Sequence, residues 1–429
     1  MSKVIFAITA GVAILLLLVY LVFPPESQTP ILLTYWTHSD QNRTILEQRL
    51  IQEFQEKFPY VSIERQTFRS EDISEYVFTA LAAGAGPDIF NMQIEQGYRF
   101  LPRGNIAPVA LTTLGFSSPE ELMRVYRPGV LEPVYYNGNI YGLPLELTNW
   151  AIYLNRQMFR EAGLDPEVDY PRTWEDMFRL STILAQYDGD VLIQRGFDFR
   201  YTDHMIAVVP MVEQLGGKLI REDRGDIIIQ EEAWLRVLRF FEAWGRNGAN
   251  LGGPSYENAR TAFNRGNEVA MALSGLYQQS RIQSENPVFH SSNDWKVVPF
   301  PTFEDAQHDF GAAIYGHYFM VNEATVPEVQ QYAWRFIHFL LSHPEEYLRE
   351  VQIVQPTIEL LESAAFRNLP YSDLFASDMG RSNMVYYQEF SAELQSLLRE
   401  AVDSVVEGRS SPERAYARLR GHALELLQN

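Results

Sequence analysis

The chain has 429 residues, 46% of them hydrophobic and 21% charged, enough for two lobes that each bury a core. Its 55 acidic against 35 basic side chains give a net charge of -20, which repels phosphate backbones and excludes nucleic-acid binding as the main task. There is no cysteine. That excludes disulfides, thiolate metal sites, a cysteine nucleophile and a lipid-modified N-terminal cysteine.

Val4 to Phe23 is an uncharged, mostly apolar run with Lys3 before it and Pro24, Pro25 and Glu26 after it. As a helix it rises about 30 Å, the thickness of a bilayer core. The run is longer than the ~7–15-residue core of a cleaved leader, and no small-x-small cleavage site follows it. Residues 1–23 are therefore expected to be a single-pass membrane anchor, with Lys3 inside and the rest of the chain outside the cytoplasm. A cleaved signal peptide is the alternative. Residues 24–30 read as a short proline-bounded linker.

From Ile31 the pattern alternates strand and helix. Ile31–Trp36 is a short apolar run, and Ile45, Leu46, Leu50, Ile51, Phe54 and Phe58 follow at helical spacing. Val61, Ile63 and Arg65 alternate as in a strand. Residues 73–83 are helical again, stopped by Gly84, Gly86 and Pro87, and Asp88–Met92 reads as a third strand. Strand-helix-strand-helix-strand predicts an open, mostly parallel α/β sheet, whose ligands bind beyond the carboxyl ends of the strands. The loops after Trp36 and Asn91 are the places to look.

Residues 141–155 read as one long extended segment that carries the chain between lobes. Thr173-Trp-Glu-Asp176 has the pattern of a capping box opening the next helix. Helices are further expected over 234–244, 329–341 and 390–406, with a last one started by Ser411 and Pro412.

Searches for chemistry come back empty. The sequence holds no phosphate-binding Gly-x-x-x-x-Gly-Lys, no Gly-x-Ser-x-Gly elbow and no His-Glu-x-x-His, and its eight histidines are scattered. No catalytic residue, cofactor or metal is expected.

The informative stretch is Ala82-Ala-Gly-Ala-Gly-Pro-Asp-Ile-Phe90, followed by Gly104-Asn-Ile-Ala-Pro108. Here the chain resembles the maltose-binding-protein type of extracellular solute-binding proteins, family 1, which serve ABC importers. Thr34-Tyr-Trp36, Phe54-Gln-Glu-Lys-Phe-Pro-Tyr-Val61, Tyr141-Gly-Leu-Pro144, Tyr153-Leu-Asn155, Met158–Leu164, Pro171–Asp176 and Asn264–Leu273 agree with that family in order and spacing. The resemblance covers residues 31–429.

It implies a two-lobed periplasmic-binding-protein fold of type II with a ligand cleft between the lobes. The first lobe is expected at 31–145 and 313–355, the second at 146–312 and 356–429. It implies capture of a mono- or oligosaccharide, delivery to ABC permease subunits in the membrane, and a monomeric receptor. A membrane-anchored sensor of the same fold, or a carbohydrate-active enzyme, are the alternatives. Carried over by position, the first-lobe ligand candidates are Trp36, His38, Asp40, Gln93, Glu95 and Gln96. Glu95 keeps an acid where the maltose binder has an acid-base pair, but Gln96 stands in place of arginine, so maltose itself is not implied. The remaining candidates are Tyr201, His204, Tyr277, Tyr315, His317 and Tyr387, with Tyr277 first among them because a ring after a Ser-Gly turn lies where a strand end meets solvent. Trp36 and Trp150 each have a core alternative, and Trp174 reads as a packing residue.

Overall fold

The computed structural model describes residues 29–70, 72–199, 204–218, 231–254, 259–266, 268–384 and 390–428. The expected membrane anchor lies outside them, as do Tyr201 and Tyr387. Among the described residues no helix is long and apolar enough to cross a membrane.

The first lobe begins with β1 (Ile31–His38), α1 (Gln41–Lys57), β2 (Val61–Phe68), α2 (Ile73–Ala82) and β3 (Ile89–Gln93). Helix α1 forms because Leu46, Leu50 and Phe54 recur at one-turn spacing and all three are buried. The Asp40 carboxylate caps it, accepting from the Arg43 backbone N–H at 2.9 Å. β1 pairs in parallel with β2, from Ile31 opposite Val61 to His38 opposite Phe68, and with β3 on its other side.

The Gly-Pro-Asp turn has a structural task. Asp88 accepts from the Thr34 backbone N–H and hydroxyl at 2.8 Å and from the Thr325 hydroxyl at 2.8 Å, tying β1 to the start of β3 and to a distant loop. Gly84 has φ +68° at the end of α2, and a Cβ on Gly86 would meet the Leu81 side chain at 2.5 Å.

After β4 (Leu143–Pro144) the chain crosses to a second sheet, made from β5 (Ala151–Asn155), β6 (Gln186–Asp188), β7 (Val191–Asp198), β8 (Val269–Ser274) and β9 (Trp295–Val298) in the order β9-β5-β8-β7-β6. It then returns through β10 (His317–Val321), which inserts antiparallel between β3 and β4 and completes the first sheet as β2-β1-β3-β10-β4. Two long helices near the C-terminus, α3 (Ser391–Val406) and α4 (Pro412–Gln428), pack on the second sheet's side of the molecule.

Each sheet has its own core. Leu33, Tyr35, Phe54, Ile89, Trp334 and Phe336 centre the first. Trp174, Phe199, Trp234, Phe240 and Trp244 centre one face of the second, and Tyr153, Phe263 and Trp295 its other face. The expected helix start at Thr173 is present: its hydroxyl accepts from the Asp176 N–H at 3.0 Å, and the Asp176 carboxylate takes the Arg172 N–H at 3.3 Å. Trp174 is fully buried among Phe199, Phe300 and Phe303.

Three segments link the two sheets. Leu145 donates to the His317 carbonyl at 2.8 Å, and Thr148 and Tyr315 exchange both backbone hydrogen bonds at 2.9 Å. Leu147 in turn donates to the Val354 carbonyl at 3.0 Å. The crossing is tight at Gly316, where a Cβ would meet the Glu146 carbonyl oxygen at 2.4 Å. Short paired segments of this kind absorb backbone rotation while the lobes move as units.

Candidate functional site: a polar cleft between the lobes

A cleft of about 780 Å³ opens where the strand ends of both lobes face each other, within the range of ligand sites in general. Its walls carry mostly hydrogen-bonding groups. His38, Asp40, Gln93 and Gln96 line it from the first lobe, Tyr277 and Arg281 from the second, and Glu146, Trp150, Tyr315 and His317 from the crossing segments.

The cleft brings together seven of the twelve expected residues. His38, Asp40, Gln93, Gln96, Tyr277, Tyr315 and His317 come together in the lining. Glu95 is buried in the turn after β3 and is not in the lining. Trp36 also is not: its ring packs 4.9 Å from Phe68, which lies 4.9 Å from Tyr76, so it belongs to an aromatic row on the first lobe. Tyr201 and Tyr387 are outside the described residues. His204 opens a helix over His204–Gln214, and its side chain is likewise outside them.

The second-lobe wall is built around three rings. The Trp150 indole N–H faces the hydroxyls of Tyr277 at 3.2 Å and Tyr315 at 3.0 Å, and those hydroxyls are 2.8 Å apart. All three rings are nearly buried, so the triad holds its own geometry before any ligand enters. Gly275 permits it: a Cβ there would meet the Tyr277 ring at 2.6 Å and the Thr148 hydroxyl at 2.8 Å. The Arg281 guanidinium covers the Tyr277 ring at 4.4 Å.

Arg281 also joins the lobes. It lies in the helix Gln278–Glu285 of the second lobe, yet its Nε donates to Asp40 Oδ2 at 2.9 Å, with a second donation from the neighbouring terminal nitrogen. Burial alone would raise the Asp40 carboxyl. The Arg281 charge and the Arg43 N–H outweigh it and hold the carboxyl below its ordinary value. Close by, the Ser280 hydroxyl donates to the Val351 carbonyl at 2.8 Å.

The first-lobe wall rests on a buried charge network. Arg43 and Glu47 are fully buried and paired at 2.7 Å, and Arg65 reaches the other Glu47 oxygen at 2.8 Å. Tyr35, Tyr347 and Asn91 complete their hydrogen bonding. In front of this network His38 stacks on His317, with ring centres 4.3 Å apart. Burial first, with the guanidinium charges of Arg43, Arg281 and Arg65 adding to it, pushes the His38 imidazole well below its usual range, so it is neutral. His317 Nδ1 is hydrogen-bonded to Glu146 Oε1. Arg281, Glu146 and Asp198 are lining residues that sequence reasoning missed. Arg281 stands one helical turn after Tyr277, and Glu146 shares a face of the extended 141–155 segment with Trp150, a spacing that could have found these two.

No group of three or more His, Asp or Glu side chains among the described residues is arranged to hold a metal ion. The profile of the bacterial extracellular solute-binding proteins matches residues 41–347, well over half of the chain. The chain belongs to that family. Solute-binding proteins of this family are binders and not catalysts, in keeping with a cleft walled by hydrogen-bonding groups.

Among curated proteins, this solute-binding protein is 22% identical over 281 residues to an arabinooligosaccharide-binding protein of Halalkalibacterium halodurans. The match takes in 64% of this chain and 59% of that relative, so it spans about three-fifths of the relative's length. Among solved structures it superposes on an ABC transporter solute-binding protein of Thermotoga lettingae bound with α-D-tagatose, with a TM-score of 0.80 and 18% identity, covering 92% of this chain and all of the other. It also superposes on the maltose/maltodextrin-binding domain of Bdellovibrio bacteriovorus bound to maltotriose, with a TM-score of 0.79 and 15% identity, covering 93% of this chain and all of the other. At these identities the two structures establish the two-lobed α/β fold.

Proposed function

We propose that this solute-binding protein is the receptor of an ABC importer for a short oligosaccharide, held at the outer face of the membrane by an uncleaved N-terminal helix. The observation that carries the reading is the cleft itself. Its preset Trp150–Tyr277–Tyr315 wall, flanked by carboxylates, guanidinium groups and imidazoles, offers both donors and acceptors to a ligand rich in hydroxyls. The arabinooligosaccharide-binding relative, and the tagatose and maltotriose held by structures of the same fold, support the same ligand class.

On this reading the lobes divide at 145/146, 312/313 and 355/356, and binding shifts the population toward the closed form in which both lobes touch the sugar. The anchor keeps the receptor within reach of its permease. Genes for permease subunits beside this one favour import over sensing.

The test is a thermal-shift screen of the full chain in detergent against arabinotriose, maltotriose, mannotriose, tagatose, polyols and polyamines. A sugar at about 100 times its dissociation constant adds about 2.7 kcal/mol to the folded state and raises the midpoint. A shift produced only by a compound that is not a sugar refutes the ligand class.

A further inference from the structure

The floor of the cleft contains a feature that neither lobe needs for its core. His317 begins β10 and lies opposite Gln93 in the first sheet, while Glu146 comes from the crossing segment that pairs with it. Both side chains are more than nine-tenths buried, both line the cleft, and His317 Nδ1 is bonded to the Glu146 carboxylate. A carboxylate only accepts, so the proton of this bond is carried by Nδ1, and in the neutral imidazole Nε2 is then the acceptor. That Nε2 is buried and has no hydrogen-bond partner among the described residues. Buried polar atoms nearly always have one.

His38, stacked against the same ring, is set the other way. Its Nδ1 faces an Arg43 terminal nitrogen at 3.4 Å, and a guanidinium has only donors. Nδ1 of His38 is therefore the acceptor and Nε2 carries the hydrogen. Gln96, also in the lining, has a buried and unpartnered side-chain oxygen. Two imidazoles of opposite tautomer thus stand face to face, one offering a donor and one an acceptor.

We propose that Glu146 is a positioning residue that fixes His317 as the Nδ1–H tautomer, so that His317 Nε2 accepts a hydroxyl proton from the bound ligand while His38 Nε2–H donates to a neighbouring oxygen. The chemical group read in this way is a pair of adjacent hydroxyls on one sugar ring. The inference rests on the oligosaccharide reading above and names the part of the sugar that the floor recognises. The charged groups surrounding the pair are Arg43 and Asp40 from α1 and its cap, Arg65 from β2 and Arg281 from the opposite lobe. The guanidinium groups among them help to keep His38 neutral.

The experiment is long-range nitrogen NMR of the full chain in detergent with 15N-labelled histidine, His317 being assigned by its loss in His317→Gln. The free protein is expected to show His317 as the Nδ1–H tautomer and His38 as the Nε2–H tautomer. Saturation with the best binder among arabinotriose, maltotriose and mannotriose is expected to move the His317 Nε2 resonance. Glu146→Leu is expected to weaken that sugar by about tenfold or more, and Glu146→Gln by less, because its amide oxygen still accepts from Nδ1. The unliganded melting temperature of each variant separates this effect from misfolding, and the tautomer is read in the free wild-type protein, with His317→Gln used only for assignment. A free His317 found as Nε2–H overturns the proposal whatever the ligand proves to be. A sugar that binds while His317 and the Glu146→Leu affinity stay unchanged overturns it and leaves the oligosaccharide reading intact. Failure of every sugar to bind overturns that reading, and the ligand half of this proposal with it.

Discussion

Replacing Asp40 by Asn removes one charge from the Asp40–Arg281 ion pair that bridges the lobes across the cleft, and leaves nearly everything else in place. The Asn side-chain oxygen still caps α1 at the Arg43 N–H, so the helix start is retained. What is lost is the charge opposite Arg281, whose Nε lies 2.9 Å from Asp40. Two unit charges about 4 Å apart attract by about 4 kcal/mol at an effective dielectric near 20, and desolvation takes back a large part of that. Asp40 is 5% exposed and Arg281 15%, so solvent screens the pair little. A net bias of about 1–3 kcal/mol toward the closed form follows, equivalent to about 5–150-fold in the open-closed equilibrium.

The assay is the distance between two labels, one at exposed Ile45 in the first lobe and one at exposed Val191 in the second. The chain has no cysteine, so introduced Ile45→Cys and Val191→Cys are the only labelling sites. Without sugar, Asp40→Asn is expected to lengthen the distance distribution and to weaken sugar binding about fivefold or more. Arg281→Met should do the same, and the double variant should add little to either. An unchanged distribution, or two effects that simply add, refutes the latch. The native carboxyl is held below its ordinary value of 3.8. The pair's contribution is therefore complete above that value and is lost as pH falls through the lower native one.

Gly316→Ala drives a Cβ into the Glu146 carbonyl oxygen at 2.4 Å, backbone against backbone, and is expected to cost about 1–3 kcal/mol in urea unfolding; an unchanged midpoint means the crossing segments are not packed as described. Glu213 supplies a pH effect of opposite sign to Asp40. Burial pushes its carboxyl up from 4.5 to about 7, so the native state binds the extra proton and stability falls as pH rises from 4.5 toward 7, by at most about 3 kcal/mol. Glu213→Gln should restore that stability above pH 7 and change nothing near pH 4; equal effects at both pH values contradict the assignment.

The first five elements were legible because the apolar residues of α1 and the Gly-Pro-Asp turn signal their own local structure. Asp88, read as a strand start, turned out to tie β1 and β3 together through Thr34, which fits a motif whose residues are close in the fold. The strand β10 was less accessible to pattern reading, since it enters the first sheet from more than 200 residues beyond β3, and no local periodicity carries that pairing. The site divides similarly. Tyr277 follows from its Ser-Gly turn, and Asp40 from its place after the first strand. Their link through Arg281 does not, because an ion pair between residues 241 positions apart exists only once the lobes face each other. Trp36 and His38 share a strand face by alternation, but only His38 stands at the strand's end, where the sheet gives way to the cleft.

Isothermal titration of the full chain with the oligosaccharide selected by the thermal screen, followed by recovery and sizing of the sugar, tests the central claim most directly. One sugar bound per chain and recovered with its length unchanged is the predicted result. No binding heat with any sugar, or a shortened sugar in the recovered pool, would contradict it.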